Sequence, residues 1–232
     1  MKRYAIITAG GTGTRMGADR PKQLLELEGK PVLRWTMELF QRLPEPVELI
    51  VVMNEGIREV WKDYCRQAQF RLRHRLVTGG ITRFHSVRNG LRLVEPGALV
   101  AVHDAVRPFA TGQMIEAAFR MAAKEGSAIP YVDVVDSLRS RKPDCEGRLL
   151  TEPVDRSLFM GVQTPQVFRS DELLQAYKLP YRTSFTDDAS VMEAAGYPLS
   201  FLPGSRFNIK LTTPEDWQLA QLFIRLNSSN SL

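Results

Sequence analysis

Cysteine is scarce. Cys65 and Cys145 are the only two in 232 residues. They stand far apart and show neither a disulfide framework nor zinc-ligand spacing, so a reducing compartment is expected. Long apolar runs are missing too, and nothing approaches the roughly 20 residues that cross a bilayer. The first apolar run, residues 4–7, is too short for the core of a secretory signal, and Gly-rich sequence follows at once. A cytoplasmic chain without membrane association is the expectation. Internal repeats and low-complexity tracts are also lacking. Basic residues are not interleaved with aromatics in a stripe and no recognised nucleic-acid motif occurs, which argues against a nucleic-acid-binding module. The net charge is +5 with a pI near 9.4, and the densest cluster is Arg71, Arg73, His74 and Arg75. That cluster reads as a solvated basic face, and a modest positive excess suits small polyanions.

What is present is a chain that is 44% hydrophobic and long enough for one sizeable core. Strand-length apolar runs at 4–8, 47–53, 76–78, 98–103 and 127–132 alternate with helical spacing. Leu33, Met37 and Phe40 share a face behind Pro31. Ile57, Val60, Trp61, Tyr64, Cys65 and Ala68 follow Asn54, a plausible cap. Phe84, Val87 and Leu91 share another face. Thr111 can cap a helix carrying Ile115, Ala118, Phe119 and Ala122. A last helix opens at Thr213-Pro214-Glu215-Asp216 and bears Leu219, Leu222, Phe223 and Leu226, before a frayed tail at 228–232. The alternation implies an α/β fold with a mostly parallel sheet and helices on both faces. In such sheets ligands bind beyond the carboxyl ends of the strands. Residues 136–159 break the rhythm with charges, Pro143, Gly147 and Pro153, and read as a hairpin or as a surface loop.

The loop after the first strand reads Ala9-Gly10-Gly11-Thr12-Gly13-Thr14-Arg15-Met16-Gly17. Glycines let backbone N–H groups approach phosphate oxygens. The spacing is not that of a P-loop, and Pro21 interrupts where a dinucleotide fingerprint would run into a helix. Arg15 and Lys22 flank this loop and could neutralise charge on an α-phosphate and a departing pyrophosphate. A second loop, His103-Asp104-Ala105-Val106-Arg107, ends a strand. Asp104 is placed to hold Mg²⁺ through oxygen, Arg107 to pair with phosphate or hydroxyls, and His103 to be packed. A third loop, Thr78 to Arg83, carries Gly79 and Gly80 ahead of Ser86 and reads equally as a base or ribose contact and as a simple turn. Val154-Asp155-Arg156, Thr186 to Ser190, and Asn208-Ile209-Lys210 complete the set.

Taken in order, AGGTGTRM with PKQ, GGITRFHSV, HDAVRPF, PVDR, QTPQVF, TDDAS and NIKLTTPED resemble the 2-C-methyl-D-erythritol 4-phosphate cytidylyltransferases of non-mevalonate isoprenoid synthesis, over nearly the whole chain. The resemblance implies a single nucleotide-diphosphosugar-transferase-like domain over 1–232. It also implies a homodimer in which an arm at about 136–159 crosses to the partner, with Ser137 and Arg156 acting in trans. It implies that Ala9, Gly10, Gly11, Gly80 and Ser86 hold the cytidine portion of CTP, that Arg15 and Lys22 stabilise the transition state, and that Asp104 coordinates Mg²⁺. Arg107, Thr164, Thr186, Lys210 and the arm's Arg156 would position the sugar-alcohol phosphate. Departures are Gly10 where many members carry Ala, Ile81 where an acidic residue often stands, and Ser137 for a frequent Thr.

The implied reaction is in-line attack by a substrate phosphate on the α-phosphorus of CTP. A phosphate monoester, with a second pKa of about 6, is already largely dianionic near neutrality and needs no general base. Ribitol-5-phosphate cytidylyltransferases share the glycine loop, HDAVRPF and QTPQ. The PVDR, RxxSV and TDDAS runs favour the methylerythritol enzyme. A nicotinamide-dependent oxidoreductase is disfavoured by Pro21 and by the Arg15 and Lys22 pair.

Overall fold

The first apolar run becomes the middle of the sheet in a computed structural model, in which residues 1–11, 21–144 and 146–229 are described. The chain order is β1 (Arg3–Ala9), β2 (Glu26–Leu27), β3 (Lys30–Pro31), α1 (Val32–Gln41), β4 (Glu48–Met53), α2 (Glu55–Gln67), β5 (His74–Thr78), α3 (Arg83–Leu91), β6 (Leu99–Asp104), α4 (Gly112–Glu125), β7 (Ser127–Asp133), β8 (Leu138–Pro143), β9 (Leu149–Val154), β10 (Met160–Val162), β11 (Gln166–Arg169), α5 (Ser170–Ala176), α6 (Asp188–Ala194), β12 (Phe201–Pro203) and α7 (Pro214–Ser229). The main sheet runs β10-β7-β11-β6-β1-β4-β5, with β12 added to β7. The β6-β1-β4-β5 core is parallel, whereas β11 runs antiparallel to β6 and β7.

Alternation along β1 explains why its sequence is a continuous apolar run. Ala5, Ile7 and Ala9 enter the core that buries Met37 of α1, Trp61 of α2 and Phe119 of α4. Tyr4 and Ile6 enter the opposite core with Phe84 of α3, Leu173 of α5 and Met192 of α6. A strand covered on both faces has no polar side to show. The chain leaves β1 towards β4 on one flank and later returns to β6 on the other, so the strand order reverses at β1. In open α/β sheets such a reversal opens a crevice at the carboxyl ends. The registers put those ends level: Thr8 lies beside Asp104, Ala9 beside Met53, and Met53 beside Thr78.

Segment 136–159 is the hairpin alternative: β8 and β9 pair from Leu138↔Val154 to Pro143↔Leu149 as a two-stranded sheet of their own. Four local expectations need correction. Asn54 occupies the cap position of α2, but its side chain makes no cap bond there; it reaches into the glycine loop instead. On α2 itself, Ile57 and Trp61 are buried while Val60 and Ala68 are exposed, because only one narrow stripe meets the sheet. On α7 the buried residues are Ala220 and Ile224, which pack with Leu27, Val32, Val106 and Leu211. Leu219, Leu222 and Leu226 are exposed. That helix also continues through Ser228 and Ser229, the start of the expected frayed tail, whose remaining residues 230–232 lie outside the described residues.

Candidate active site

A cavity of about 230 Å³ opens at the strand-order reversal and is lined by Ala9, Gly10, Gly11, Lys22, Gly80, Ser86, Asp104 and Lys210, among others. Eight positions expected to share a site therefore meet across five separate stretches of chain. Two amides shape the glycine wall. Gln23 Nε2 donates to the Ala9 carbonyl at 2.7 Å, and Asn54 Nδ2 donates to the Gly10 carbonyl at 3.0 Å. Pro21 precedes a short 3-10 turn, Lys22–Leu24, that carries Lys22 to the cavity. A Cβ on Gly11 would lie 3.7 Å from Lys22 Cε, so the lysine stem runs beside the glycines. Arg15 lies outside the described residues.

On the opposite wall, Ser86 Oγ accepts from Gly80 N–H and donates to the Thr82 carbonyl, both at 3.0 Å. This draws the loop onto the first turn of α3. A Cβ on Gly80 would stand 2.3 Å from His85 Cβ and 2.9 Å from its carbonyl carbon, closer than real Cβ contacts come. Gly80→Ala is expected to lower unfolding stability by about 1–3 kcal/mol, the usual cost of overpacking, as the loop shifts away from α3. Urea unfolding of the variant checks this.

Asp104 ends β6 as expected and is almost fully buried. Lys210 Nζ approaches its Oδ2 at 2.9 Å, Arg107 Nε approaches the same oxygen at 3.4 Å, and Arg83 Nε approaches Oδ1 at 3.6 Å. Burial alone would raise this carboxyl, but the three cations outweigh it and hold Asp104 well below the usual carboxylate range. It stays ionised at any physiological pH.

A polar network holds Asp104 from behind. Its N–H donates to Thr164 Oγ1 at 3.1 Å, and Thr164 Oγ1 lies 3.0 Å from His103 Nδ1. His103 Nε2 lies 3.1 Å from the Arg107 carbonyl. A carbonyl only accepts, so Nε2 carries the proton and Nδ1 accepts the Thr164 hydroxyl. Arg107 Nη1 donates to the Asn208 carbonyl at 2.7 Å, and Asn208 Nδ2 donates to the Thr164 carbonyl at 2.8 Å. The network thereby fixes the chain two residues ahead of Lys210. Thr164 and Arg107 support Asp104 and are not among the described residues that line the cavity. Thr186 is exposed just ahead of α6. Ser137 and Arg156 are exposed beside the hairpin, with Arg156 donating to the Val135 carbonyl.

His103 is packed, as its sequence position suggested, and burial pushes its pKa down to about 4. The unfolded chain takes up a proton near pH 6.5, whereas the folded chain resists until about pH 4. Stability is therefore full above pH 6.5 and falls as pH drops towards 4, by up to about 3 kcal/mol. His103→Gln is expected to flatten that part of the curve, which urea unfolding at a series of pH values measures.

The sequence assigns no role to Arg83, Gln23 or Thr8 and reads Asn54 only as a helix cap, although Gln23 and Arg83 sit inside the motifs PKQ and GGITRFHSV. Position beside a glycine pair or a lysine was the available signal.

The family model described as IspD: 2-C-methyl-D-erythritol 4-phosphate cytidylyltransferase matches residues 4–226. A protein of that name from Porphyromonas gingivalis is 47% identical over 224 residues, covering 96% of this chain and 98% of the relative. One from Phocaeicola vulgatus is 45% identical over 225 residues, covering 97% of this chain and 100% of the relative. The crystal structure of the Thermus thermophilus enzyme of the same name superposes with a TM-score of 0.74 at 29% identity, covering 97% of this chain and 100% of that one. A crystal structure of 4-diphosphocytidyl-2C-methyl-D-erythritol synthase from Anaerococcus prevotii gives 0.78 at 27% identity, covering 97% and 96%. With its cavity framed by the motif residues and its length matched almost throughout, this chain belongs to the 2-C-methyl-D-erythritol 4-phosphate cytidylyltransferase family of nucleotidyltransferases.

Proposed function

We propose that this cavity transfers CMP from CTP to 2-C-methyl-D-erythritol 4-phosphate, releasing pyrophosphate. The observation that carries the reading is the cavity itself: a glycine wall at Ala9–Gly11 and Gly80 faces Lys22, Lys210 and the caged Asp104. The nucleotide lies against the glycines, where backbone can approach closely. Lys22, together with Arg15, meets charge growing on the α-phosphate and the leaving pyrophosphate. Lys210, half-exposed and anchored on Asp104, faces the incoming phosphate with Thr186. No side chain needs to remove a proton, since the attacking phosphate is already ionised near neutrality. The methyl-branched acceptor is favoured over ribitol 5-phosphate by the names of the relatives described above.

Mg²⁺ fits the donor set in a limited way. No group of three or more His, Cys, Asp or Glu among the described residues could enclose a metal. One carboxylate plus substrate phosphates is, however, how Mg²⁺ is commonly held, and Asp104 with Thr8 Oγ1 at 3.5 Å supplies that single oxygen-rich corner. When bound, the ion would screen the triphosphate and assist departure of pyrophosphate. Asp104 would be its protein ligand, and Lys210 would yield part of its contact.

A homodimer completes the site in this reading. The hairpin leaves the sheet, and apolar residues at its base, Val135, Leu158, Phe159 and Met160, are exposed in the single chain. A partner that covers them brings Ser137 and Arg156 to the other cavity. Mixing Lys22→Ala and Arg156→Ala chains tests this. If Arg156 acts in trans, half the dimers are mixed and each has one intact site, so activity recovers to about a quarter of wild type. No recovery after verified subunit exchange would overturn the arm's role. No helix among the described residues is long and apolar enough to cross a membrane, and a cytoplasmic setting accords with the two lone cysteines.

A further inference from the structure

One cation of the cavity has no part in the reaction as written. Arg83, the first residue of α3, lines the cavity. Its Nη2 lies 2.6 Å from Asp188 Oδ2 and its Nε 3.6 Å from Asp104 Oδ1. Asp188 is completely buried at the start of α6 and is not among the described residues that line the cavity. Its other oxygen accepts the Tyr177 hydroxyl at 2.5 Å, and its own N–H donates to Gln166 Oε1 at 3.1 Å. The two oxygens of Asp104 are divided in turn. Oδ1 faces Arg83 and the Thr8 hydroxyl, while Oδ2 faces Lys210 and Arg107. A row of alternating charge, Asp188–Arg83–Asp104–Lys210, therefore runs from a buried helix start into the cavity.

A planar guanidinium can serve two carboxylates at once in fixed directions, whereas an ammonium is a mobile point charge. Asp188 is fully buried, with one oxygen on Tyr177 and the other on Arg83, so the guanidinium is anchored from its buried side. We infer that Arg83 is a positioning residue, clamped by Asp188 and Tyr177, that fixes the orientation of Asp104 and sets turnover through that carboxylate. The TDDAS run owes its second acidic residue to this clamp, since Asp187 is occupied elsewhere: it caps α6 through Ser190 N–H and accepts from Gln166. The inference rests on Asp104 being the ligand-facing carboxylate of the proposed reaction.

Arg83→Lys separates positioning from plain charge neutralisation. Lysine keeps a cation beside Asp188 but cannot hold both carboxylates. Expected is a melting temperature within a few degrees of wild type with kcat lowered about 10- to 100-fold, the scale of a misplaced catalytic group. In a chain already carrying Asp104→Asn, the same substitution should cost less than about twofold further, because its target is gone. Tyr177→Phe, which removes one hydroxyl and leaves both charges, should lower kcat by about 3- to 10-fold with KM for CTP unchanged, and it serves if Arg83→Lys does not fold. Arg83→Lys with wild-type kcat would overturn the inference, as would a full further loss in the Asp104→Asn background. A wild-type chain without turnover would instead overturn the reaction, and this inference with it.

Discussion

Lys22→Ala is expected to lower turnover by about 100- to 1,000-fold, the usual loss when one preorganised donor to a charged transition state is removed. The physical reason lies in how the residue is held. Pro21 starts the 3-10 turn, buried Gln23 ties that turn to the end of β1 through the Ala9 carbonyl, and Lys22 emerges between these anchors. Its Nζ also reaches the Leu211 carbonyl at 3.4 Å, which links it to the segment carrying Lys210. The ammonium is thus in place before charge develops. Folding does not depend on it to the same degree, because the anchors are its neighbours. A stability loss below about 1.5 kcal/mol is expected, the size of one ordinary hydrogen bond. Steady-state kinetics and urea unfolding of the same preparation give both values. A variant with near-normal turnover would remove Lys22 from the mechanism.

Asp104→Asn is expected to cut turnover at least as deeply, and it carries an opposite signature in binding. The wild-type carboxylate sits among Lys210, Arg107 and Arg83, and Arg83 is shared with the buried Asp188. Loss of its charge leaves that cage more positive. Free CTP, measured with a chelator present, should therefore bind Asp104→Asn at least as tightly as wild type, while the gain in turnover proposed for Mg²⁺ should disappear. Breaking a buried ion pair commonly costs about 3–5 kcal/mol. The partly exposed Lys210 and Arg83 reduce this towards about 2 kcal/mol. Weaker CTP binding in chelator together with an unchanged Mg²⁺ titration would contradict the assignment. Because Asp104 is held low, the carboxylate adds nothing to pH dependence near neutrality. Its stabilisation is present above the ordinary carboxylate pKa of about 3.9 and fades only as pH falls further, through its depressed folded value.

The fold was legible where one force acts alone. Apolar runs such as Ala5 to Ile7 and Leu49 to Met53 state burial on two faces, and glycines with Lys22 state a phosphate-sized gap. Reading failed where a side chain has two plausible employments. Asn54 stands where a cap belongs, yet the nearer demand is the Gly10 carbonyl across the strand ends. On α7 the leucines promise a core, but among the described residues the helix meets the body through Ala220, Ile224 and Trp217, over the small β2–β3 ribbon, and through Phe223, which packs on Phe109 and Phe207. Arg83 carried motif identity in the RxxSV run but no role, because its value depends on Asp188, 105 residues away in the chain. Thr164 and Arg107 carried motif identity, but spacing alone did not show that they hold Asp104 from behind.

Pyrophosphate release by the purified wild-type chain, given CTP and Mg²⁺ with either 2-C-methyl-D-erythritol 4-phosphate or ribitol 5-phosphate, tests the central claim most directly. The account predicts rapid release with the methylerythritol phosphate, a rate that falls below about pH 6 as the attacking phosphate becomes protonated, and little release with ribitol phosphate. Equal or faster release with ribitol phosphate, or none with either, would contradict it.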